Sequence, residues 1–263
     1  KGFVLSRFDS SAKRNKANEL WKDAMVMLKA YEKDEDQRFF QSWLRARYAD
    51  SIRPGKAGSK NEDFEKIGTR FHSWVRDNLA KVGLDAEQGE TFENFVQKDF
   101  SFYLKAYLRI LEAEKNLTPE LEHVFYIRHW GIAPTLSFPL ILASLNTDDS
   151  DETVARKIDT LAAYIETFVV RRSVNFRNFS ASSIRYTMYS LVKEIRGKDL
   201  ASLQAVLTQK LQDMKESFDG LDKFRMHGQN KRFVKFLLAR MTAWCEQQAG
   251  MSSNFVTYYA PSS

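Results

Sequence analysis

The chain has a single cysteine, Cys245, among 263 residues. That excludes an internal disulfide framework and any cysteine-based zinc site, and it fits a reducing, cytoplasmic setting. The glycosylation-type triplets at Asn116 and Asn178 then read as chance matches. No apolar run approaches the ~18 residues a membrane span needs; the longest, near Phe138 to Leu145, is short and interrupted by Pro139 and Ser144. No G-x-x-x-x-G-K-S/T phosphate loop and no G-x-G-x-x-G occurs, so neither familiar nucleotide loop is present. His72, His123, His129 and His227 form no H-E-x-x-H and no i, i+4 pair, and no metal or cofactor is expected. His123 and His129, six apart, point to different faces of one helix and read as satisfied or solvent-facing side chains. Cys245 sits in a helical apolar stripe and reads as a buried thiol. None of the many paired carboxylates stands in an apolar setting that would raise its pKa for acid or base work.

What is present is abundant core material, 43% hydrophobic with 13% aromatic residues. Apolar side chains recur at three-four spacing, the signature of helices with one buried stripe. Arg14 to Tyr31 shows this on Ala17, Leu20, Trp21, Ala24, Met25 and Leu28, and residues 36–52 repeat it on Phe39, Phe40, Trp43, Leu44 and Tyr48. The polar stretch RPGKAGSKN is a loop. Further helices are expected over about 62–81, ended by Gly83, and over about 90–114. Thr118, Pro119 and Glu120 carry the signals of a helix start, for a helix reaching about Trp130. Gly131, Pro134 and Pro139 should break the chain before a short apolar helix to Leu145.

NTDDSDE lacks the spacing of a calcium loop and reads as a cap for the next helix. Helices follow at about 151–172, 181–196, 200–216 and 222–249. Only SNFVTYY near the C-terminus alternates with period two. The expectation is an all-α, irregular bundle of about nine or ten helices without significant sheet. No fixed repeat points to a solenoid. Most of the Phe, Trp and Tyr residues fall at core-phase positions; Tyr186 and Tyr189 are the aromatics to test as nucleic-acid contacts.

The net charge of +6 is unevenly placed: residues 151–263 hold 17 Lys and Arg against 11 Asp and Glu, while residues 1–150 balance at 23 each. A charge-neutral N-terminal subdomain (1–150) and a basic C-terminal one (151–263) are therefore distinguished, as parts of one continuous unit, and the basic part is a candidate surface for DNA. Within it Arg171, Arg172, Arg177, Arg185 and Arg196 crowd into an apolar helical run. A guanidinium is a planar fork that fits phosphate, and a second basic set, Lys231, Arg232, Lys235 and Arg240, lies partly on one helix face. Arg171 and Arg172 are about 100° apart on a helix, so at most one can face the core. The competing reading is that these arginines brace carboxylates such as Glu166 and Glu194 across a helix pair.

IETFVVRRSVNFRNFSASSIRYTMYSLVKEIRGKDL resembles the central helical segment of the bacterial family that joins an N-terminal ParB-like nuclease domain to a C-terminal HNH nuclease domain, the GmrSD-like, modification-dependent (type IV) restriction enzymes. KGFVLS resembles the end of that family's L-K-G-Y-L motif, and RFVKFLLARMTAWCEQ the helix preceding the HNH domain. The family's D-G-Q-Q-R and E-H-x-x-P-Q signatures are missing; Glu122, His123 and Val124 copy a fragment of the latter in a helical context. The resemblance implies a fragment of a longer protein: a non-catalytic scaffold between two nuclease domains of the same chain, in a phage-defence setting. On their own chemistry Arg171, Arg172, Arg177, Arg185, Arg196, Lys231, Arg232 and Lys235 are the candidate contacts to a DNA backbone. The alternative class is a helical protein-interaction or dimerisation domain with structural arginines, which calls for a large exposed apolar patch. A third, an independent helical enzyme, needs a pocket of convergent polar groups.

Overall fold

The computed structural model describes residues 1–228 and 230–259. Among them every regular element is helical: α1 (Gly2–Leu5), α2 (Ser11–Lys29), α3 (Glu35–Tyr48), α4 (Asp63–Asp77), α5 (Gly89–Asn94), α6 (Ser101–Lys115), α7 (Glu122–Trp130), α8 (Pro134–Ala143), α9 (Asp151–Val174), α10 (Ala181–Ile195), α11 (Leu200–Gln212), α12 (Lys231–Gln248) and α13 (Phe255–Tyr259). Short 3-10 turns lie at Ala80–Val82 and Phe218–Lys223. The all-α expectation holds, with more and shorter helices than the nine or ten expected. The stretch expected as one helix over 222–249 divides into the second 3-10 turn, a connecting segment and α12.

The centre of the fold is α8, whose residues from Leu136 to Ala143 are all buried. A helix that is apolar all round belongs in an interior, and α8 packs against α3, α10, α9 and α6. Pro139 lies inside this helix rather than breaking it. Burial of Leu136, Phe138, Leu140, Ile141 and Leu142 on every side outweighs the one hydrogen bond that proline removes.

Around α3 the core is aromatic. Phe39 meets Phe40, Trp43, Phe100 and Tyr107 with ring centroids 5.1 to 5.7 Å apart, and Trp21 stacks on Phe100 at 5.0 Å. Such offset and edge contacts add to plain area burial. Phe100 reaches this cluster because residues Phe95–Phe100 form a π-helical turn joining α5 to α6, which turns Phe95, Val96 and Phe100 all inward. One core cluster runs across residue 150, from Val4 to Phe255.

Several boundaries differ from the sequence reading for local reasons. Residues Thr118 to Leu121 form a turn, closed by Leu121 N–H on Thr118 O, and α7 starts only at Glu122. The alternating SNFVTYY is not a strand: it contributes α13, since Phe255 and Tyr259, four apart, both pack on Phe236. Ser150 caps α9 through Thr153 N–H, as expected of NTDDSDE, and Gly83 closes the turn after α4 in the left-handed region. The end of α9 is a Schellman motif: Arg177 N–H bonds Arg172 O and Phe176 N–H bonds Ser173 O. The left-handed position within it, usually glycine, is Phe176 at φ 55°.

Candidate functional site

The arginines around this bend have partners within the chain. Arg171 donates from Nη1 to Leu211 O at 2.6 Å, closing the C-terminal end of α11, and its guanidinium lies over the Phe218 ring. Arg172 reaches Asn178 O from Nε and sits 3.5 Å from Glu216. Both side chains are half-buried, each bracing a neighbouring segment, so neither simply faces out. Arg177, with 68% of its side chain exposed, stands 3.8 Å from the same Glu216.

Arg185 and Arg196 belong to a different part of the surface. Arg196 tethers the end of α3: Nε donates to Ala46 O, Nη2 to Ala49 O and Nη1 to Asp50 at 2.7 Å. Cations at a helix C-terminus satisfy its open carbonyls and its partial negative charge. Arg185 pairs at 3.5 Å with Glu65 of α4. The structure thus brings Arg172 and Arg177 together at Glu216, sets Arg171 against Leu211 and Phe218, and places Arg185 and Arg196 elsewhere. The carboxylates named as bracing partners are indeed paired, but by other cations: Glu166 by Arg240 and Glu194 by Lys210.

Lys231, Arg232 and Lys235 are exposed on the first two turns of α12. Arg232 bonds Trp130 O at 3.4 Å. This turn adjoins the bend, because Phe233 packs on Phe179 and Phe224 on Phe176. Arg177 and the α12 cations therefore share one end of the bundle. Of the two tyrosines singled out, Tyr186 is exposed, whereas Tyr189 is buried edge-on against Phe64.

Arg240 lies at the centre of the tightest polar network. Its Nε donates to Glu166 at 2.8 Å, and its guanidinium covers the Tyr126 ring at 3.6 Å from the centroid. His123 joins from α7, with Nδ1 2.8 Å from Asp159 and Nε2 3.9 Å from Glu166. Burial disfavours the imidazolium, but the Asp159 hydrogen bond and the surrounding carboxylates outweigh it and hold the His123 pKa above the usual histidine range. This histidine is satisfied, and the network ties α12 to α7 and α9. No group of three His, Cys, Asp or Glu able to hold a metal occurs among the described residues.

Two expectations about single residues are overturned. Cys245 is exposed rather than buried, because it falls on the outward side of α12. One carboxylate does have a raised pKa: burial lifts Glu114 to about 7, Arg128 opposing and Glu35 adding to the shift, in a pocket that also holds Arg38 and Lys115. Its neighbour Glu35 accepts a 2.5 Å hydrogen bond from Tyr107 in the core.

The feature missed in the sequence is a second apolar face on α12. Phe236, Ala239 and Ala243 face the core, yet Val234, Leu238, Met241 and Cys245 line the opposite side at spacings of four, three and four. That is the a/d spacing of a helix-pairing seam. Leu238, Met241 and the adjacent Trp244 are 60%, 62% and 57% exposed. Met241, Trp244 and Phe218 border a groove of about 340 Å³ against Val170 of α9. The signal was present in RFVKFLLARMTAWCEQ, where apolar residues occupy more of the helix circumference than one core-facing stripe requires.

No family model, curated protein or solved structure matches the chain.

Proposed function

We propose that this chain is a non-catalytic helical scaffold that self-associates through the outward seam of α12. The carrying observation is the a/d-spaced row Val234, Leu238, Met241 and Cys245, in which Val234 is half-buried and the other three, with Trp244 beside them, stand exposed on a helix whose other face is already packed. Large contiguous apolar surface on a soluble chain marks a contact site. The occupant that such a seam fits is an amphipathic helix, and the second copy of α12 supplies one with identical spacing. The arginines support the same reading, since Arg171, Arg196 and Arg240 spend donors on carbonyls and carboxylates of separate helices and Arg172 on the turn that follows its own. On this reading, and on the resemblance noted above, the scaffold sets the distance between nuclease domains of a restriction-like protein. Sedimentation over a hundredfold range of concentration tests it: a monomer–dimer transition lost in Leu238→Asp is expected, and a concentration-independent monomer overturns it.

A second reading, contact with a DNA backbone, is favoured by Arg177, Lys231, Arg232 and Lys235 standing exposed at one end of the bundle. It requires duplex affinity that falls with log salt at about 0.9 per phosphate contact. Absence of binding at low salt removes it.

A further inference from the structure

On another side of the molecule a cleft of about 560 Å³ lies between α3, α4, α8 and α10. Its deepest cation is Arg45 of α3, only 8% exposed. Arg45 donates from Nε to Phe64 O at 3.0 Å and stacks on the Phe64 ring at 4.0 Å, while its Nη1 and Nη2 have no hydrogen-bond partner among the described residues. The side chain is nearly enclosed, yet these terminal nitrogens open onto the cleft and offer their donors to whatever enters it. Room for it is made by Gly68, where a Cβ would collide with the guanidinium.

Arg53 and Arg185 line the same cleft, against one carboxylate, Glu65. Glu65 accepts through Oε2 from the backbone N–H groups of Arg53 and Glu62 as part of the cap of α4, while its buried Oε1 has no hydrogen-bond partner among the described residues and faces Arg185. Among the described residues Arg185 is held only by its 3.5 Å ion pair to Glu65, which leaves its other donors open. Two helix starts open onto the cleft as well: Thr135 in the first turn of α8, and Ala181 and Ser182 in the first turn of α10. The α10 start has no side-chain cap from Ser180. Helix N-termini present free N–H groups and partial positive charge.

We infer that this cleft binds the terminal phosphate of a small phosphomonoester, with Arg45 at its floor and Arg53 and Arg185 at its rim. Three guanidinium forks and two helix N-termini supply donors suited to a dianion. The buried position of Arg45 selects a protruding terminal phosphate over a diester within a strand. The volume exceeds that of the phosphate alone and leaves space for the organic body against Phe64 and Leu136.

Calorimetry and thermal melts with inorganic phosphate and with adenosine monophosphate, at constant ionic strength against a chloride control, test this. Saturable binding is expected, tighter for the monophosphate, with affinity falling roughly tenfold or more in Arg45→Met and in Arg185→Gln. Should Arg45→Met fail to fold, Arg185→Gln and the rim variant Arg53→Gln carry the decision. Stabilisation no greater than that by chloride, or affinity unchanged in both rim variants, overturns the proposal. So does displacement of the monophosphate by a duplex with hydroxyl ends, which assigns the cleft to backbone diesters.

Discussion

Helices α3 and α12 both mix aromatic, aliphatic and arginine side chains, yet they have opposite fates. α3 is enclosed: Phe39, Phe40, Trp43, Leu44 and Ala46 are buried, and Ser42 and Arg45 between them are buried too. α12 is longer yet buries only Phe236, Ala239, Ala243 and Glu246. What holds α12 is a few specific devices: the Arg240–Glu166 pair, the Trp130 and Phe233 rings 4.9 Å apart, and Phe255 of α13 against Phe236. The lesson is that stability concentrates where aromatic surface is enclosed on all sides, while a helix held by few anchors remains available for contact.

The largest expected effect is at the enclosed end. Phe39→Ala removes a ring that touches four others and should lower global stability by about 3–5 kcal/mol, read as a shifted urea midpoint. Next is Arg240→Leu, which strands Glu166 and should cost about 3 kcal/mol. Here the loss should be local, with limited proteolysis releasing α12 and α13 while the aromatic core stays resistant. An equal loss across both regions would break the contrast.

Glu114 gives a pH test of the enclosed region. Burial lifts its pKa to about 7 in the folded chain from the ordinary glutamate value of 4.5, so the folded state binds the extra proton between these values. Stability from this group is therefore greatest below about 4.5, declines as pH rises to about 7, and the penalty is complete above that. Glu114→Gln should flatten the decline and stabilise the chain at pH 8 by on the order of 2 kcal/mol, measured by denaturant melts at several pH values. A smaller gain, about 1 kcal/mol, is expected from Phe176→Gly, which relieves the left-handed backbone at the end of α9. Smallest is Trp244→Ser on the exposed seam, which should change monomer stability by less than about 0.5 kcal/mol yet weaken self-association.

The helices were legible because three-four spacing of Phe, Trp and Leu reports burial directly, as on α2 and α3. What misled were signals that tertiary packing overrides: Pro139 inside an enclosed helix, and SNFVTYY, whose alternation is that of a helix end clasping Phe236. The arginines were conspicuous in the sequence but their directions were not, because a long side chain on one helix can reach carbonyls of a distant segment, as Arg196 reaches Ala46. Arg45 passed unnoticed for the same reason. Its burial depends on Gly68 and Phe64, some twenty residues away, and no local pattern announces that.

Hydrogen exchange followed residue by residue at two protein concentrations puts the central claim to its most direct test. The account predicts that amides of α12 exchange more slowly at the higher concentration while those of α3 do not change. Exchange in α12 that is independent of concentration would contradict it.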